Sequence, residues 1–98
     1  MNGVEKTMEF DVLKDLKDKE STYKVKIELE EEVTSYTREC AKVLASAILR
    51  NNERNIYGER LGFKEVTKVI EEQLTNYLAS ENFKIKNIKV NLINTNKR

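Results

Sequence analysis

Residues 23–30 read YKVKIELE, and this stretch decides the fold that the sequence predicts. Apolar and charged side chains alternate along all of it, with Tyr23, Val25, Ile27 and Leu29 sharing one parity. Because successive side chains of a β-strand point to opposite sides of the sheet, the pattern predicts a strand with one buried face. Such a strand needs a partner strand and a layer packed on its apolar face, so the rest of the sequence has to supply both.

The partner strand is predicted near the end of the sequence, in FKIKNIKVNLI (residues 83–93). Its apolar residues share one parity up to Ile85 and the other parity from Ile88, so the alternation changes phase at Lys86-Asn87. Such a change predicts either one bulged strand or a tight turn between two short strands, and the sequence leaves both open. In either form the segment can pair with the first strand in a short antiparallel sheet.

Two long amphipathic helices are predicted between these strands, because apolar residues recur there with i, i+3/i+4 spacing. We expect both helices to pack their apolar stripes on the sheet. The first stripe consists of Val33, Tyr36, Cys40, Val43, Leu44, Ala47 and Ile48. The second consists of Val66, Val69, Ile70, Leu74, Tyr77 and Leu78. Cys40 is therefore expected to be a small buried core residue. Three carboxylates precede the first stripe, where they suit the positive end of a helix: Glu30, Glu31 and Glu32.

A short helix is predicted before the first strand. Thr7 suits its N-cap and Glu9 its first turn, and the chain is expected to leave the helix before Ser21-Thr22. The apolar residues at helical spacing are Met8, Val12, Leu13 and Leu16. The predicted fold class is therefore α+β, with a short N-terminal helix, a short antiparallel sheet and two long helices packed on it.

Length and charge limit the organisation of the chain. A chain of 98 residues, of which 39% are apolar and 36% charged, forms one small domain over residues 1–98. Residues 1–6 are expected to be disordered and residues 95–98 to form a frayed tail. The net charge is +1, but residues 1–32 carry ten acids and six bases, whereas residues 33–98 carry seven acids and twelve bases. A polyanion is therefore expected to bind the C-terminal two-thirds.

Several kinds of chemistry are missing from the sequence. There is no histidine, Cys40 is the single cysteine, and no glycine-rich phosphate loop occurs. We therefore expect no catalytic residues, no metal site and no cofactor, and so no enzyme. The absence of a leader pattern and of a long apolar run indicates a cytoplasmic protein without a membrane segment.

Basic residues concentrate in two places. One is the connector with the start of the second long helix, where Lys64 and Lys68 are four residues apart and share one helix face. The other is residues 82–98, with five bases and no acids. The candidate binding residues are Arg54, Arg60, Lys64, Thr67, Lys68, Lys84, Lys86, Asn87 and Lys89. Lysines also cover ordinary solvated helix faces and protect edge strands from aggregation, so the pattern alone leaves those interpretations open.

A resemblance rests on GERLGFKEVTKVIEEQL (residues 58–74), followed by NYLASENFKIKNIKV (residues 76–90). These segments resemble the winged helix-turn-helix pattern, with Gly58, Leu61 and Gly62 at the turn and a basic strand or hairpin as the wing. The resemblance implies that the helix after the turn enters the DNA major groove and that the wing contacts the backbone or the minor groove. The order of YKVKIEL, IYGERLG and KIKNIKV is also similar to Alba proteins, and strand, helix, helix is similar to ribbon-helix-helix proteins.

From these patterns we expect a small, winged-helix-like protein that binds double-stranded DNA as a homodimer, in a regulatory role or as a plasmid or phage accessory protein. The alternative is a non-enzymatic protein-interaction module or inhibitor that acts as a helical dimer. It needs no special residues beyond long helices, so the sequence leaves it open.

Overall fold

A computed structural model describes residues 5–13, 21–52, 57–59 and 61–94. Within these residues the chain forms a three-stranded antiparallel sheet of order β1-β2-β3 and two helices. The α+β class and the pairing of the first predicted strand with the C-terminal one are thus confirmed. The elements are β1 (Thr7–Leu13), β2 (Ser21–Leu29), α1 (Ser35–Asn51), α2 (Phe63–Ser80) and β3 (Ile85–Asn94).

The alternating stretch is the central strand, β2. Its four apolar side chains point into the core and are at most 2% exposed, while Lys26 on the other face is exposed. Helix α1 packs over β1 and helix α2 over β3, on the same side of the sheet as these apolar side chains. The other face carries exposed polar side chains in all three strands: Glu9, Asp11, Lys26, Asn87, Lys89 and Asn91.

The predicted N-terminal helix is wrong over residues 7–13, which form strand β1. Met8, Phe10 and Val12 alternate into the core and lie opposite Ile27, Val25 and Tyr23 of β2. Met8 and Val12 fit both a helical and a strand period, and Phe10 between them decides for the strand. The remainder of that predicted helix, like residues 1–4 and the tail 95–98, lies outside the described residues.

The phase change in the C-terminal segment is a bulge in one continuous strand. Glu28 pairs with Asn87, but the next residue, Leu29, pairs with Ile85. Lys86 is thus the extra residue of β3, and the side chains on either side of it keep their apolar face toward the core. The hairpin alternative is excluded, because both halves of the segment pair with the same strand.

Helix α1 buries a different face from the one that the sequence predicts. Its buried positions are Ala41, Ala45, Ile48 and Leu49. Tyr36 is 79% exposed and Val43 is 64% exposed, and Cys40 is only partly buried. The prediction that these three residues belong to the core is therefore wrong. Two small alanines let the helix backbone approach β1 closely, and this packing leaves the larger side chains outside.

Helix α2 packs as predicted. Val66, Ile70, Leu74 and Leu78 are buried, and Val69 and Tyr77 pack at the margin of the core. At its start the Glu65 carboxylate accepts the Gly62 N–H at 2.9 Å, which satisfies one backbone donor at the helix N-terminus.

The start of α1 offers a test of local stability. The Thr34 hydroxyl oxygen accepts the Thr37 N–H at 3.1 Å, and the first turn contains no carboxylate. The three glutamates predicted at the helix start therefore lie before it. Thr34→Ala should lower the free energy of unfolding by about 1 kcal/mol, while Thr34→Ser, which keeps the acceptor, should lose only a few tenths. Urea unfolding followed by circular dichroism measures both, and equal stability of the two variants would contradict the cap.

Candidate nucleic-acid interface

The first part of the predicted site lies in the first two turns of α2. Lys64 and Lys68 are exposed one turn apart, and Thr67 between them donates its hydroxyl to the Lys64 carbonyl at 2.9 Å. Together with Glu65 and Glu71 they line a shallow, open depression of about 350 Å³. Two lysines and two glutamates line it, so the depression itself has no net charge, and only the outward-facing ammonium groups of Lys64 and Lys68 are available to an anion.

A hydrogen bond shows which way this side of α2 faces. The Glu71 carboxylate accepts the backbone N–H of Val90 at 3.0 Å. In an edge strand, alternate backbone amides point away from the neighbouring strand, so this bond places the Glu71 side of α2 along the outer edge of β3. Lys64 and Lys68 precede Glu71 by about two turns and one turn and share that side of the helix.

The second part of the predicted site lies in and before β3. Lys84, Lys86, Asn87 and Lys89 are all exposed. Asn87 and Lys89 belong to the open sheet face, Lys86 is the bulge residue, and Lys84 lies in the turn that leads into the strand. The edge position of β3 that the sequence analysis considered is therefore present.

The two parts lie at opposite ends of one flank. From Lys64 to its last residue, Ser80, helix α2 rises about 24 Å. The chain then turns at Asn82, which has a left-handed φ of 68°, and β3 runs back along the helix. We call this surface the α2–β3 flank and define it by Lys64, Lys68, Lys84, Lys86 and Lys89. Arg54 and Arg60, which the sequence also predicted, lie outside the described residues.

Three carboxylates lie on or beside the flank, and each accepts a backbone N–H. Glu65 accepts from Gly62, Glu71 from Val90, and Glu31 from Lys84 at 3.0 Å. No described carboxylate lies within 4.0 Å of a flank ammonium group, since the one ion pair found among described residues joins Lys24 to Glu9 at 3.9 Å. Two further glutamates lie beside it, Glu28 opposite Asn87 and Glu30 with its N–H on the Lys84 carbonyl, so the five lysines lie among five glutamates.

Two basic residues near the flank were missed from the sequence. Lys26 lies directly opposite Lys89 across the β2–β3 pair, and Lys24 follows on the same open face. Glu9 lies opposite Lys26 on its other side, across the β1–β2 pair, so a carboxylate offsets part of the repulsion between Lys26 and Lys89. Both lysines could have been predicted from the sequence. The alternation in residues 23–30 puts them on the polar face of the strand, and the predicted pairing with the C-terminal strand puts that face beside the lysines of residues 83–93.

A separate cluster joins the two helices on the side away from the flank. A hydrogen bond with the Cys40 side chain is the main cause that raises the pKa of Tyr36. Burial, followed by the interaction with Cys40, raises the pKa of Tyr77. Both phenols are therefore neutral near pH 7, and they line the seam between α1 and α2 around Cys40.

Among the described residues, no three His, Cys, Asp or Glu side chains are grouped closely enough to hold a metal ion. Neither of the described helices combines the length and apolar character needed to cross a lipid bilayer. Comparisons with protein families, curated proteins and solved structures find no match to this chain.

Proposed function

We propose that the protein binds double-stranded DNA through the α2–β3 flank. The observation that carries the proposal is the Glu71–Val90 hydrogen bond, which holds the lysine-bearing side of α2 against the outer edge of β3, while Lys89 projects from the open face of the same strand. Phosphate contacts supply most of the affinity of DNA-binding proteins, and they need lysines whose ammonium groups are not paired within the protein.

The dimensions of the flank suit a duplex. Base pairs repeat every ~3.4 Å, so a flank of about 24 Å spans about seven base pairs. In the winged-helix arrangement that the sequence resembles, α2 would lie in the major groove and the bulged β3 along the backbone as the wing. Thr67 and Asn87 are the flank's neutral hydrogen-bonding side chains, and they would supply contacts to base edges.

The test is fluorescence anisotropy with a labelled duplex over a series of salt concentrations. We expect binding that weakens steeply with salt, and Lys64→Ala/Lys68→Ala should reduce the slope of log K against log salt by about 1.8. Lys6→Ala is the control, because Lys6 is exposed before β1 and lies outside both the flank and α1. Absence of duplex binding by the unmodified protein at low salt would refute the proposal, and equal loss in the Lys6 control would refute the flank.

A second candidate function is a protein-interaction module. The observation that favours it is the exposure of large apolar side chains on α1, Tyr36 and Val43. These side chains lie outside the flank, so the two candidates use different surfaces and are tested by different variants.

A further inference from the structure

Helix α1 carries a second apolar face that is only partly covered in the described part of the chain, where Tyr77 of α2 contacts Cys40. It consists of Tyr36, Cys40, Val43 and Ala47, which we call the α1 stripe. Tyr36 and Val43 are exposed, and Cys40 and Ala47 are half-buried. The stripe lies on the side of α1 nearly opposite its buried face of Ala41, Ala45, Ile48 and Leu49, so α1 is apolar on two faces although its own core requires one.

The spacing of the stripe is that of a helix that packs on another helix. Its members follow one another at intervals of four, three and four residues, which is the repeat of side chains that interlock between two paired helices. Tyr36 and Val43 are large, and Cys40 and Ala47 are small, so knobs and holes alternate along the stripe. This alternation is typical of a helix that packs against another helix, and packing against a sheet edge or a loop would not require it.

The order of large and small residues is self-complementary. If a second α1 runs antiparallel about a two-fold axis between positions 41 and 42, Tyr36 faces the partner's Ala47 and Val43 faces the partner's Cys40. Each large side chain thus meets a small one, and it does so twice because the two-fold axis repeats every contact. A parallel arrangement in register would set large against large and small against small.

The charges beside the stripe agree with the same arrangement. Glu39 and Lys42 are both exposed on one side of it. In the antiparallel pair Glu39 lies near the partner's Lys42, and Lys42 near the partner's Glu39, so two opposite-charge contacts form. Such charges at the margin of paired helices select orientation and partner.

We propose that the α1 stripe is the interface of a homodimer in which two α1 helices pack antiparallel about a two-fold axis. Tyr77 of α2 lies next to Cys40 and therefore extends the apolar surface near the middle of the helix pair. No residue of the stripe belongs to the α2–β3 flank, so the dimer leaves both flanks accessible. The inference is independent of DNA binding.

The experiment uses Cys40 as a built-in probe. Val43→Cys places a thiol opposite the partner's Cys40, where packed helices come close enough for a disulfide. Mild oxidation should convert this variant to a covalent dimer on a non-reducing gel. Two controls should crosslink far less: Glu72→Cys, an exposed position on α2, and Val43→Cys combined with Cys40→Ser.

Sedimentation equilibrium of the unmodified protein measures the dimer directly. Its mass should rise from that of the 11.5 kDa chain toward twice that value with concentration, and Val43→Asp should hold it at the monomer mass while circular dichroism stays unchanged. A protein that remains monomeric throughout, or a Val43→Asp variant that still dimerises, would overturn the proposal. Crosslinking of Glu72→Cys to the same extent as Val43→Cys would also overturn it. If the protein is monomeric and still binds duplex DNA, the dimer proposal fails while the proposed function stands.

Discussion

Ala45→Asp should unfold the domain, whereas Val43→Asp should leave it folded. Ala45 lies on the side of α1 that faces the core and is fully buried. A carboxylate at this position would have neither water nor an opposite charge to interact with. An unpaired buried charge costs about 3–5 kcal/mol, which is comparable with the whole stability of a small domain. Val43 is exposed on the single chain, and a polar substitution there should change the free energy of unfolding of the monomer by no more than about 1 kcal/mol.

Circular dichroism and urea unfolding at one protein concentration distinguish the two variants. The pair is closely matched, because the same residue is introduced two positions apart in the same helix. The apolar pattern of the sequence predicts the reverse order, with Val43 inside the core. A folded Ala45→Asp protein together with an unfolded Val43→Asp protein would therefore show that α1 is rotated as the sequence predicted.

The rotation of α1 shows what apolar periodicity can and cannot resolve. The arc from Tyr36 to Ala47 and the arc from Ala41 to Leu49 both have helical spacing, so the sequence identifies the helix but offers two apolar faces. Side-chain size favours the first arc, whereas close approach of the backbone to β1 favours the alanines of the second. Only the shape of the sheet decides between them, and that shape depends on β1.

Strand β1 was mistaken for a helix for a related reason. Met8 and Val12 are four residues apart, a separation that fits both the helix and the strand period. Phe10, which lies between them, fits only the strand period. The bulge in β3 was easier to predict, because a parity change within one strand has few structural explanations. Where a short segment has only two or three apolar residues, tertiary pairing rather than local pattern decides its conformation.

The sequence identifies the lysines of the candidate site, but it does not predict how they are arranged in space. Lys64, Lys68 and Lys89 are visible in the sequence as bases on solvent-facing positions. Their placement along one flank depends on the bond between Glu71 and Val90, which joins residues of opposite polarity in separate elements. In the sequence Glu71 interrupts the run of bases on α2, whereas in the structure its carboxylate holds α2 against the edge of β3.

Lys64→Glu/Lys68→Glu/Lys89→Glu should abolish duplex binding. The variant removes three phosphate-binding charges and introduces three that repel the backbone, so at about 0.1 M salt we expect an affinity loss of about 1,000-fold or more. Each of the three side chains is exposed, and circular dichroism should therefore match that of the unmodified protein. Anisotropy with the labelled duplex measures the loss, and a Lys6→Glu variant shows how much one charge reversal outside the flank contributes.

Glu71→Gln should act in the opposite direction and strengthen binding. The amide oxygen can still accept the Val90 N–H, so the flank keeps its geometry while it loses one negative charge. A gain of about two- to fivefold corresponds to the interaction of one surface charge with nearby phosphates. Glu72→Gln makes the same charge change on a more exposed face of α2 and should give a smaller gain. If the two glutamine variants bound DNA equally tightly, net charge rather than the α2–β3 flank would govern the affinity.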